Sequence, residues 1–272
     1  MTEPIIVAEQ LEHAYPNGAR ALRGISLEIE PGEFVGIIGQ NGSGKTTLVK
    51  HFNGLLKPTA GRVVVGGRDT RKAYTSDLAR RVGYVFQNPD HQIFSRTVRD
   101  ELAFGPRNLR LARATLERNV EEAIEVMGLR GLEDKHPFLL SRGQRQRLAI
   151  ASVLAMKTEV LILDEPTGGQ DREQVQRLEA ALLGLNRAGH TILLVTHDLE
   201  VLAEVTRRAV AVYRGQILLD GQPREVFRQT ELLAQTFLKP PQITQLSAAL
   251  GCDPLALSVD EMIGRVRSQL AR

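Results

Sequence analysis

A glycine-rich loop at residues 39–46 constrains this chain more than any other part of its sequence. The loop reads GQNGSGKT and matches the phosphate-loop pattern G-x-x-x-x-G-K-[ST]. It follows an apolar strand at 34–38 and precedes a helix that is predicted by the spacing of Leu48, Phe52 and Leu55. The glycines let successive backbone N–H groups turn toward one anion, and the helix adds the positive end of its dipole. The loop therefore predicts a site for the phosphates of a nucleoside triphosphate.

The side chains of this loop have separate predicted roles. Lys45 is long enough to reach the outer phosphates, and the hydroxyl of Thr46 suits a magnesium ligand. The predicted nucleotide-binding residues in and beside the loop are Gly39, Asn41, Gly42, Ser43, Gly44, Lys45, Thr46 and Thr47.

The composition is that of an ordinary globular chain. Of its 272 residues, 42% are hydrophobic and 25% are charged, and this length allows one large α/β domain with or without an appendage. The sequence contains no run of about 20 uncharged apolar residues, so no membrane span is predicted. The N-terminus lacks the pattern of a signal peptide. Cys252 is the single cysteine, which excludes an internal disulfide and suits a reducing compartment. The net charge of +3 permits a polyanionic neighbour but does not require one.

Strand and helix patterns alternate along most of the chain. Apolar strands such as VLIL at 160–163 and TILLVT at 191–196 predict a mainly parallel sheet that is covered on both faces. Strand-rich runs open the main domain at 1–220, and a helical insert is predicted within it at about 97–157. A small helical extension is predicted at 221–272. The predicted fold class is therefore α/β.

Polar residues follow several strands on the side where such sheets bind their ligands. Asp164 is predicted to hold Mg²⁺, and Glu165 is predicted to act as a general base toward an attacking water. The amide of Gln87 suits positioning that water or contacting the metal. His197 is predicted to donate a hydrogen bond to the terminal phosphate. The alternatives are a solvated strand end for the carboxylates and a structural role for the histidine.

A further polar motif opens a basic helix. Ser141 is a suitable N-cap for a helix that is predicted to continue to about Met156. Arg142, Arg145 and Arg147 crowd the positive end of its dipole, which is unfavourable unless an anion is bound nearby. The two interpretations are a solvated helix start and a dock for the phosphate of a second protomer's nucleotide.

Two short helices are predicted beyond a boundary at Lys239-Pro240-Pro241. The second of them is predicted to start at Ser258, in an S-x-x-E capping box with Glu261. Their apolar faces contain Ile243, Leu246 and Leu250 in the first helix, and Val259, Met262, Ile263, Val266 and Leu270 in the second. The stripe of the second helix is expected to pack against the chain's own domain, and a second subunit is the alternative partner.

The motifs occur in the order Tyr15, GQNGSGKT, Gln87, LSRGQ, VLILDEP, Asp171 and His197. Together they resemble a complete ABC-type ATPase cassette, a P-loop NTPase with an N-terminal β subdomain, over residues 5 to about 220. The resemblance implies that two cassettes, identical or paralogous, pair head to tail around ATP and Mg²⁺. Ser141, Gly143 and Gln144 of one cassette would contact the ATP on the phosphate loop of the other. Asp171 would lie where the protomers meet, and Tyr15, otherwise a surface turn residue, would stack on the purine.

Finer features are similar to the ATPases of energy-coupling-factor (ECF) transporters and of related cobalt and nickel importers. These features are QNPDHQIF, ELAFGPRNL, EPTGGQD and the extension PPQITQLSAALG. The similarity implies a peripheral protein on the cytoplasmic face of the cell membrane that drives a transmembrane coupling subunit. That subunit would be joined to a substrate-capture membrane protein for a vitamin or a transition-metal ion. Gln87 would report the nucleotide state to the membrane partner through the helical insert.

Two motifs depart from the common pattern of such cassettes. Arg142 stands where L-S-G-G-Q has a glycine, and the loop at 168–171 reads Gly-Gly-Gln-Asp rather than Ser-Ala-Leu-Asp. Arg142 either strengthens phosphate docking or hinders close approach, and the sequence leaves both open. The carboxylate of Glu165 is retained, so a competent hydrolytic site is expected.

Other functions of phosphate-loop proteins agree less well with the sequence. An ATPase of another importer class is the nearest alternative. A clamp on DNA would need a long coiled-coil insertion, for which 97–140 is too short, and ribosome-acting relatives generally hold two cassettes in one chain. A small GTPase would need an N-K-x-D motif, which the sequence lacks. No nucleic-acid partner is therefore expected.

Overall fold

The N-terminal part of the chain contributes most of an antiparallel sheet. The computed structural model describes residues 3–270, with side chains up to residue 268. The strands of this sheet are β1 (Ile6–Ala14), β2 (Arg20–Ile29), β4 (Ala60–Val65) and β5 (Arg68–Asp69), in the order β2-β1-β4-β5. Leu22, Ile25 and Leu27 of β2 are buried and alternate with more exposed residues, as expected for a sheet that covers a core with one face.

The second sheet is the mainly parallel sheet that the sequence predicted. Its strands are β3 (Phe34–Ile38), β6 (Val82–Val85), β7 (Val160–Asp164), β8 (Thr191–Thr196), β9 (Arg208–Tyr213) and β10 (Gln216–Gly221). The order is β10-β9-β3-β8-β7-β6, and only β10 pairs antiparallel with its neighbour. Every residue of β3, β7 and β8 is buried. Phe34 belongs to the core on one face and Val35 to the core on the other, which confirms a sheet covered on both sides.

Helices cover the second sheet and extend beyond it. They are α1 (Lys45–Phe52), α2 (Thr75–Leu78), α3 (Val98–Asn108), α4 (Arg113–Val126), α5 (Arg142–Leu154), α6 (Arg172–Arg187), α7 (Leu199–Val205), α8 (Pro223–Arg228), α9 (Thr230–Gln235), α10 (Gln242–Ala249) and α11 (Val259–Leu270). α3, α4 and α5 pack against one another between β6 and β7 in the chain order. Within residues 3–270, none of these helices is both long and apolar enough to cross a membrane.

The helix after the phosphate loop is shorter than its apolar spacing predicted. Leu48 and Phe52 are fully buried, but Leu55 lies beyond the helix and is 47% exposed. Asn53 ends the helix, and Gly54 then adopts a left-handed conformation with φ 73°. The prediction that Leu55 belongs to the helical face is therefore wrong, because a turn that favours glycine interrupts the pattern.

The C-terminal helices differ from prediction in how their apolar faces are used. Among the described side chains of the predicted stripe, Met262 is buried, whereas Val259 is 60% exposed and both Ile263 and Val266 are 42% exposed. The side chain of Leu270, which also belongs to that stripe, lies outside the described residues. The expectation that the chain's own domain covers this stripe is wrong for most of its length.

The helix α10 also exposes most of its predicted apolar face. Leu246 and Leu250 of its predicted apolar face are 49% and 62% exposed. The buried residues of α10 are instead the polar Thr244 and Ser247. The buried Ser247 has a hydrogen-bond partner, because its hydroxyl accepts from the backbone N–H of Ala256. The apolar face that the spacing predicts for this helix is therefore largely exposed, and its opposite, polar side packs inward.

The predicted capping box at the start of α11 forms only in part. The Ser258 hydroxyl accepts from the backbone N–H of Glu261 at 3.2 Å, as predicted. The Glu261 carboxylate, however, accepts from the N–H of Leu257 at 3.0 Å rather than from that of Ser258. It also accepts from Arg224 at 2.6 Å, and this ion pair draws it away from the reciprocal position.

Candidate functional site

A cavity lies where the strands of the second sheet meet the phosphate loop. Strands β3, β6, β7 and β8 run parallel, so the segments that follow their carboxyl ends converge at one edge. The cavity has a volume of about 340 Å³. Its walls include the predicted site residues Tyr15, Asn41, Gly42, Gly44, Lys45, Thr46, Thr47, Gln87 and Glu165. Grooves of about 670 and 480 Å³ lie along the C-terminal helices, but they contain none of these residues.

The phosphate loop is closed by its own lysine. Lys45 is 6% exposed, and its Nζ donates to the carbonyl of Gly39 at 2.6 Å and to that of Gln40 at 3.0 Å. Burial lowers the pKa of the Lys45 ammonium, while the carboxylates of Glu165 and Asp164 act in the opposite direction. The ammonium therefore sits beside the loop's backbone, at the place from which a bound phosphate chain is reached.

The predicted metal ligands Thr46 and Asp164 contact each other. The Thr46 hydroxyl donates to the Asp164 carboxylate at 3.0 Å (Oδ2) and 3.2 Å (Oδ1), and Asp164 is 3% exposed. A hydroxyl and a carboxylate that lie together, beside a phosphate site, fit the oxygen ligands that Mg²⁺ takes in proteins. The third predicted ligand, Gln87, lies at the wall of the same cavity.

Tyr84 is a contact of Asp164 that the sequence analysis missed. Its hydroxyl donates to Oδ2 of Asp164 at 2.8 Å, from the neighbouring strand β6. Burial raises the pKa of the Tyr84 phenol, with the Asp164 charge acting in the same direction, so the phenol remains a neutral donor. A tyrosine within the otherwise apolar strand VGYV is the one sequence signal that pointed to it.

Glu165 lines the cavity and pairs with His197, whose side chain is 62% exposed and is not among the described residues that line the cavity. Oε2 of Glu165 lies 2.8 Å from Nδ1 of His197, and the His197 backbone N–H donates to the same oxygen at 3.4 Å. Oε1 of Glu165 is buried and has no hydrogen-bond partner among the described residues. Because this oxygen is also buried from solvent, the carboxylate has to turn before Oε1 can accept a proton from a water in the cavity. With Nδ1–H donating to the carboxylate, the imidazole can donate to a phosphate as well only when its second nitrogen is also protonated.

Tyr15 is held at the rim of the cavity by the helix that follows the phosphate loop. Its hydroxyl lies 3.0 Å from Oγ1 of Thr47, and its ring packs edge-on against His13 with centroids 4.8 Å apart. Nδ1 of His13 lies 3.2 Å from Nε2 of His51, whose Nδ1 contacts the Thr47 carbonyl at 2.7 Å. Burial lowers the pKa of His51 to about 4, so the ring is neutral. Neither histidine has a role predicted from the sequence, and both lie in the packing that fixes the tyrosine.

Six predicted nucleotide residues are not among those that line the cavity; Gly39 and Ser43 belong to the phosphate loop itself, and the other four lie elsewhere in the chain. Ser141, Gly143, Gln144 and Asp171 are not among the residues that line this cavity in the described part of the chain. Ser141 and Gln144 instead cap α5 reciprocally, with hydrogen bonds of 2.9 and 3.3 Å. Asp171 caps α6 by accepting from the N–H of Gln174 at 2.9 Å. Within one copy, these residues therefore have structural roles.

Comparisons with known proteins agree with this arrangement of motifs. A family model described as ABC transporter matches residues 22–168. A putative ABC transporter ATP-binding protein of Caldanaerobacter subterraneus is 47% identical over 95% of this chain. The chain spans about half the length of that relative, 45% of it.

Two further matches extend over most of both chains. The energy-coupling factor transporter ATP-binding protein EcfA of Methanocaldococcus jannaschii is 39% identical over 98% of this chain and 96% of its own length. The structure of cbiO1 from Clostridium perfringens, described as part of the ABC transporter complex cbiONQ, has a TM-score of 0.78 and 36% identity. That alignment covers 90% of this chain and 98% of the other.

Proposed function

Because this chain belongs to the family of ABC transporter ATP-binding proteins, we propose that it is the ATP-hydrolysing subunit of an energy-coupling-factor importer. One observation carries the enzymatic part of this proposal. The phosphate loop, the Thr46–Asp164 pair and the Glu165–His197 pair adjoin one cavity, although they come from distant parts of the chain. The importer class rests on the names of the relatives and on the motifs that resemble those of ECF ATPases.

Each residue of the site has a role in the proposed hydrolysis. The loop N–H groups and Lys45 bind the phosphates, and Tyr15 supports the base. Thr46 and Asp164 would hold Mg²⁺, with Gln87 beside them, and the ion supplies positive charge to the phosphate oxygens. Glu165 accepts a proton from the attacking water, and the contact of His197 with Oε2 orients the carboxylate.

A second copy, identical or paralogous, completes the site in this proposal. Ser141, Gly143 and Gln144 lie outside the cavity of their own chain, at the N-terminus of a helix that has no acidic residue in its first turn. Such a terminus favours an anion, and the triphosphate of a second copy supplies one. The proposed dimer is head to tail, with Asp171 close to the contact.

The proposed membrane partner docks beside the helical insert. Phe94 and Phe104 are 62% and 44% exposed and pack edge-on with centroids 4.7 Å apart, which leaves an apolar surface after Gln87. The same segment is tied to the insert, because Gln92 accepts from the N–H of Phe86 at 3.2 Å and donates to the carbonyl of Ala149 at 2.8 Å. Gln87 directly follows Phe86, whose backbone N–H is tied to α5 through Gln92, and this link is the proposed route from Gln87 to α5. The partner proposed is a transmembrane coupling subunit with a substrate-capture protein for a vitamin or a transition-metal ion, which places this chain on the cytoplasmic face.

Purification from a detergent extract tests the proposed function. We expect a hydrophobic membrane subunit to co-purify, and Mg-ATP to induce dimers of the chain and steady phosphate release. Light scattering and a phosphate assay measure these results, and Glu28→Gln, a change at an exposed position of β2, serves as a control. A chain that stays monomeric and inert with Mg-ATP, both alone and beside its membrane subunit, refutes the proposal. Recovery of ribosomes or nucleic acid in place of a membrane subunit would favour the alternative of a soluble clamp.

The exposed C-terminal stripe makes a separate prediction about the dimer. Ending the chain at Pro240 removes Leu250, Ile263 and Val266, and we expect self-association to weaken by about tenfold or more, from the apolar area lost. The double variant Leu250→Gln/Ile263→Gln tests the same surface with the extension retained. Val126→Gln, on an exposed position of α4, is the matched control. Sedimentation measures the association, and an unchanged dimer in both the truncated chain and the double variant would limit the stripe to local packing.

A further inference from the structure

The two departures from the common cassette motifs touch each other. Arg142 lies in the first turn of α5, and Gly169 lies in the loop before α6. A methyl group built on Gly169 would lie 2.7 Å from Nη1 of Arg142, 2.9 Å from Cζ and 3.4 Å from Nε. The guanidinium thus occupies the space in which any side chain at position 169 would begin. Gly169 also has φ +72°, a conformation that favours glycine.

A second contact joins the same two segments. A methyl group built on Gly143 would lie 1.5 Å from Oε1 of Gln174. Gln174 is itself fixed by Asp171, which accepts from its backbone N–H at 2.9 Å and from its side-chain amide at 2.7 Å. The turn that opens α5 therefore rests on the segment that opens α6.

The loop under Arg142 is held by short-range bonds of its own, among them one from the Gln170 amide to the Pro166 carbonyl at 2.5 Å, and Arg142 adds a contact from outside the loop. It starts at Glu165, which has a left-handed φ of 50° and donates its N–H to the Val195 carbonyl at 2.8 Å. It then passes through Gly168 and Gly169, where the backbone has more conformations to lose on folding than at any other residue type. A methyl group built on Gly168 meets only the Glu165 carbonyl, at 3.6 Å, so no side chain holds that glycine.

Arg142 is held there by packing rather than by a charge. Among the residues that the structure describes, no hydrogen bond or ion pair of its guanidinium is found, and its side chain is exposed. A flat guanidinium can cover a glycine as a plane, which a lysine ammonium cannot do. The contact thus depends on the shape of the arginine head group.

We propose that Arg142 is a positioning residue that holds the loop at 166–171 and so fixes Glu165. The loop belongs to the pocket of the chain's own nucleotide, whereas Arg142 belongs to the helix start that contacts the nucleotide of the second copy. This inference rests on the proposed function, in which Ser141, Gly143 and Gln144 contact the nucleotide of a second copy. Glu165 acts on the nucleotide of its own chain. Arg142 joins the two segments within one copy, so closure on the partner's phosphate is transmitted to the general base.

Amide hydrogen exchange of the full chain without nucleotide tests the contact independently of any ATPase activity. We expect Arg142→Ala to raise exchange in 166–171 by about tenfold, because the loop opens locally more often. Arg142→Lys should raise it similarly, since the charge is kept but the plane is lost. Gly168→Ala, whose methyl group does not reach Arg142, should leave this exchange no faster than in the parent chain. Unchanged exchange in Arg142→Ala, or parent-like exchange in Arg142→Lys, would overturn the proposal.

Kinetics of the same variants test the consequence for hydrolysis. We expect Arg142→Ala to lower kcat by about fivefold with the Kd for ATP unchanged, because the phosphate loop is untouched. Gly169→Ala displaces the guanidinium and also strains the left-handed backbone, so the test is the further loss within that background, where Arg142→Ala should cost less than about twofold more. Equal losses in both backgrounds would show that the contact has no role. A raised and salt-dependent Kd for ATP in Arg142→Ala, together with a parent-like Kd in Arg142→Lys, would assign Arg142 as an anion ligand and refute the positioning role.

Discussion

Replacing Glu165 by glutamine is expected to lower kcat for ATP hydrolysis by about 10²–10⁴-fold, the range that a general base contributes. The amide keeps the size of the side chain and a hydrogen bond to His197, but it cannot accept the proton of the attacking water. Binding should survive, because the phosphate loop and the Thr46–Asp164 pair are unchanged. An ATP-bound dimer should therefore accumulate. Phosphate release, an ATP titration and light scattering measure the three effects.

A matched control for this substitution lies on the same strand segment. Glu159 directly precedes β7, whereas Glu165 directly follows it. Glu159 pairs with Arg81 on the surface, so Glu159→Gln should leave kcat unchanged. Turnover at the parent rate in Glu165→Gln would remove the role proposed for that carboxylate. Loss of ATP binding together with turnover would indicate instead that Glu165 supports the structure of the cavity.

Replacing Lys45 by alanine is expected to weaken ATP binding itself, by about 10- to 100-fold from the loss of hydrogen bonds to a charged group. The Nζ of Lys45 lies between the loop carbonyls of Gly39 and Gln40, so its removal also leaves those acceptors without their donor. Equilibrium binding of ATP measures the first effect, and thermal unfolding without nucleotide measures the second. We expect a large rise in the Kd for ATP and only a small fall in the unfolding temperature in this variant.

Lys50 provides the comparison for this change. It lies on the same helix α1 but has no part in the cavity wall, so Lys50→Ala should bind ATP as the parent does. An unchanged Kd in Lys45→Ala would contradict the proposed nucleotide site. If the loss of ATP binding in Lys45→Ala equals its loss of folded protein, Lys45 has a structural role only. Lys45→Arg separates the two roles, because it keeps the positive charge.

Local patterns carried most of the information about the fold. The phosphate loop was recognisable because a strand and a helix flank it, and the continuous apolar runs predicted buried parallel strands. Parallel strands place their carboxyl ends at one edge, which brought Thr46, Gln87 and Glu165 to one cavity as predicted. These inferences hold because they need only neighbouring residues and the direction of the strands.

The remaining features depend on contacts between distant segments. The hydrogen bond of Tyr84 to Asp164 follows from which two strands become neighbours, and no spacing in the sequence specifies that. The end of α1 before Leu55 depends on a turn at Gly54, and the exposure of Ile263 depends on where the extension settles. An apolar face is visible in a sequence, whereas its partner is not.

The reciprocal cap of Ser141 and Gln144 has a consequence for the lifetime of the proposed dimer. In a lone copy, each of these side chains already satisfies a backbone N–H of the other residue. Both cap bonds use acceptor oxygens, so the Ser141 O–H and the Gln144 amide N–H can donate to a partner's phosphate without breaking the cap. These donors are held in place before a partner arrives, and they lose their acceptor once the terminal phosphate leaves, so this part of the interface lasts only as long as the phosphate is bound.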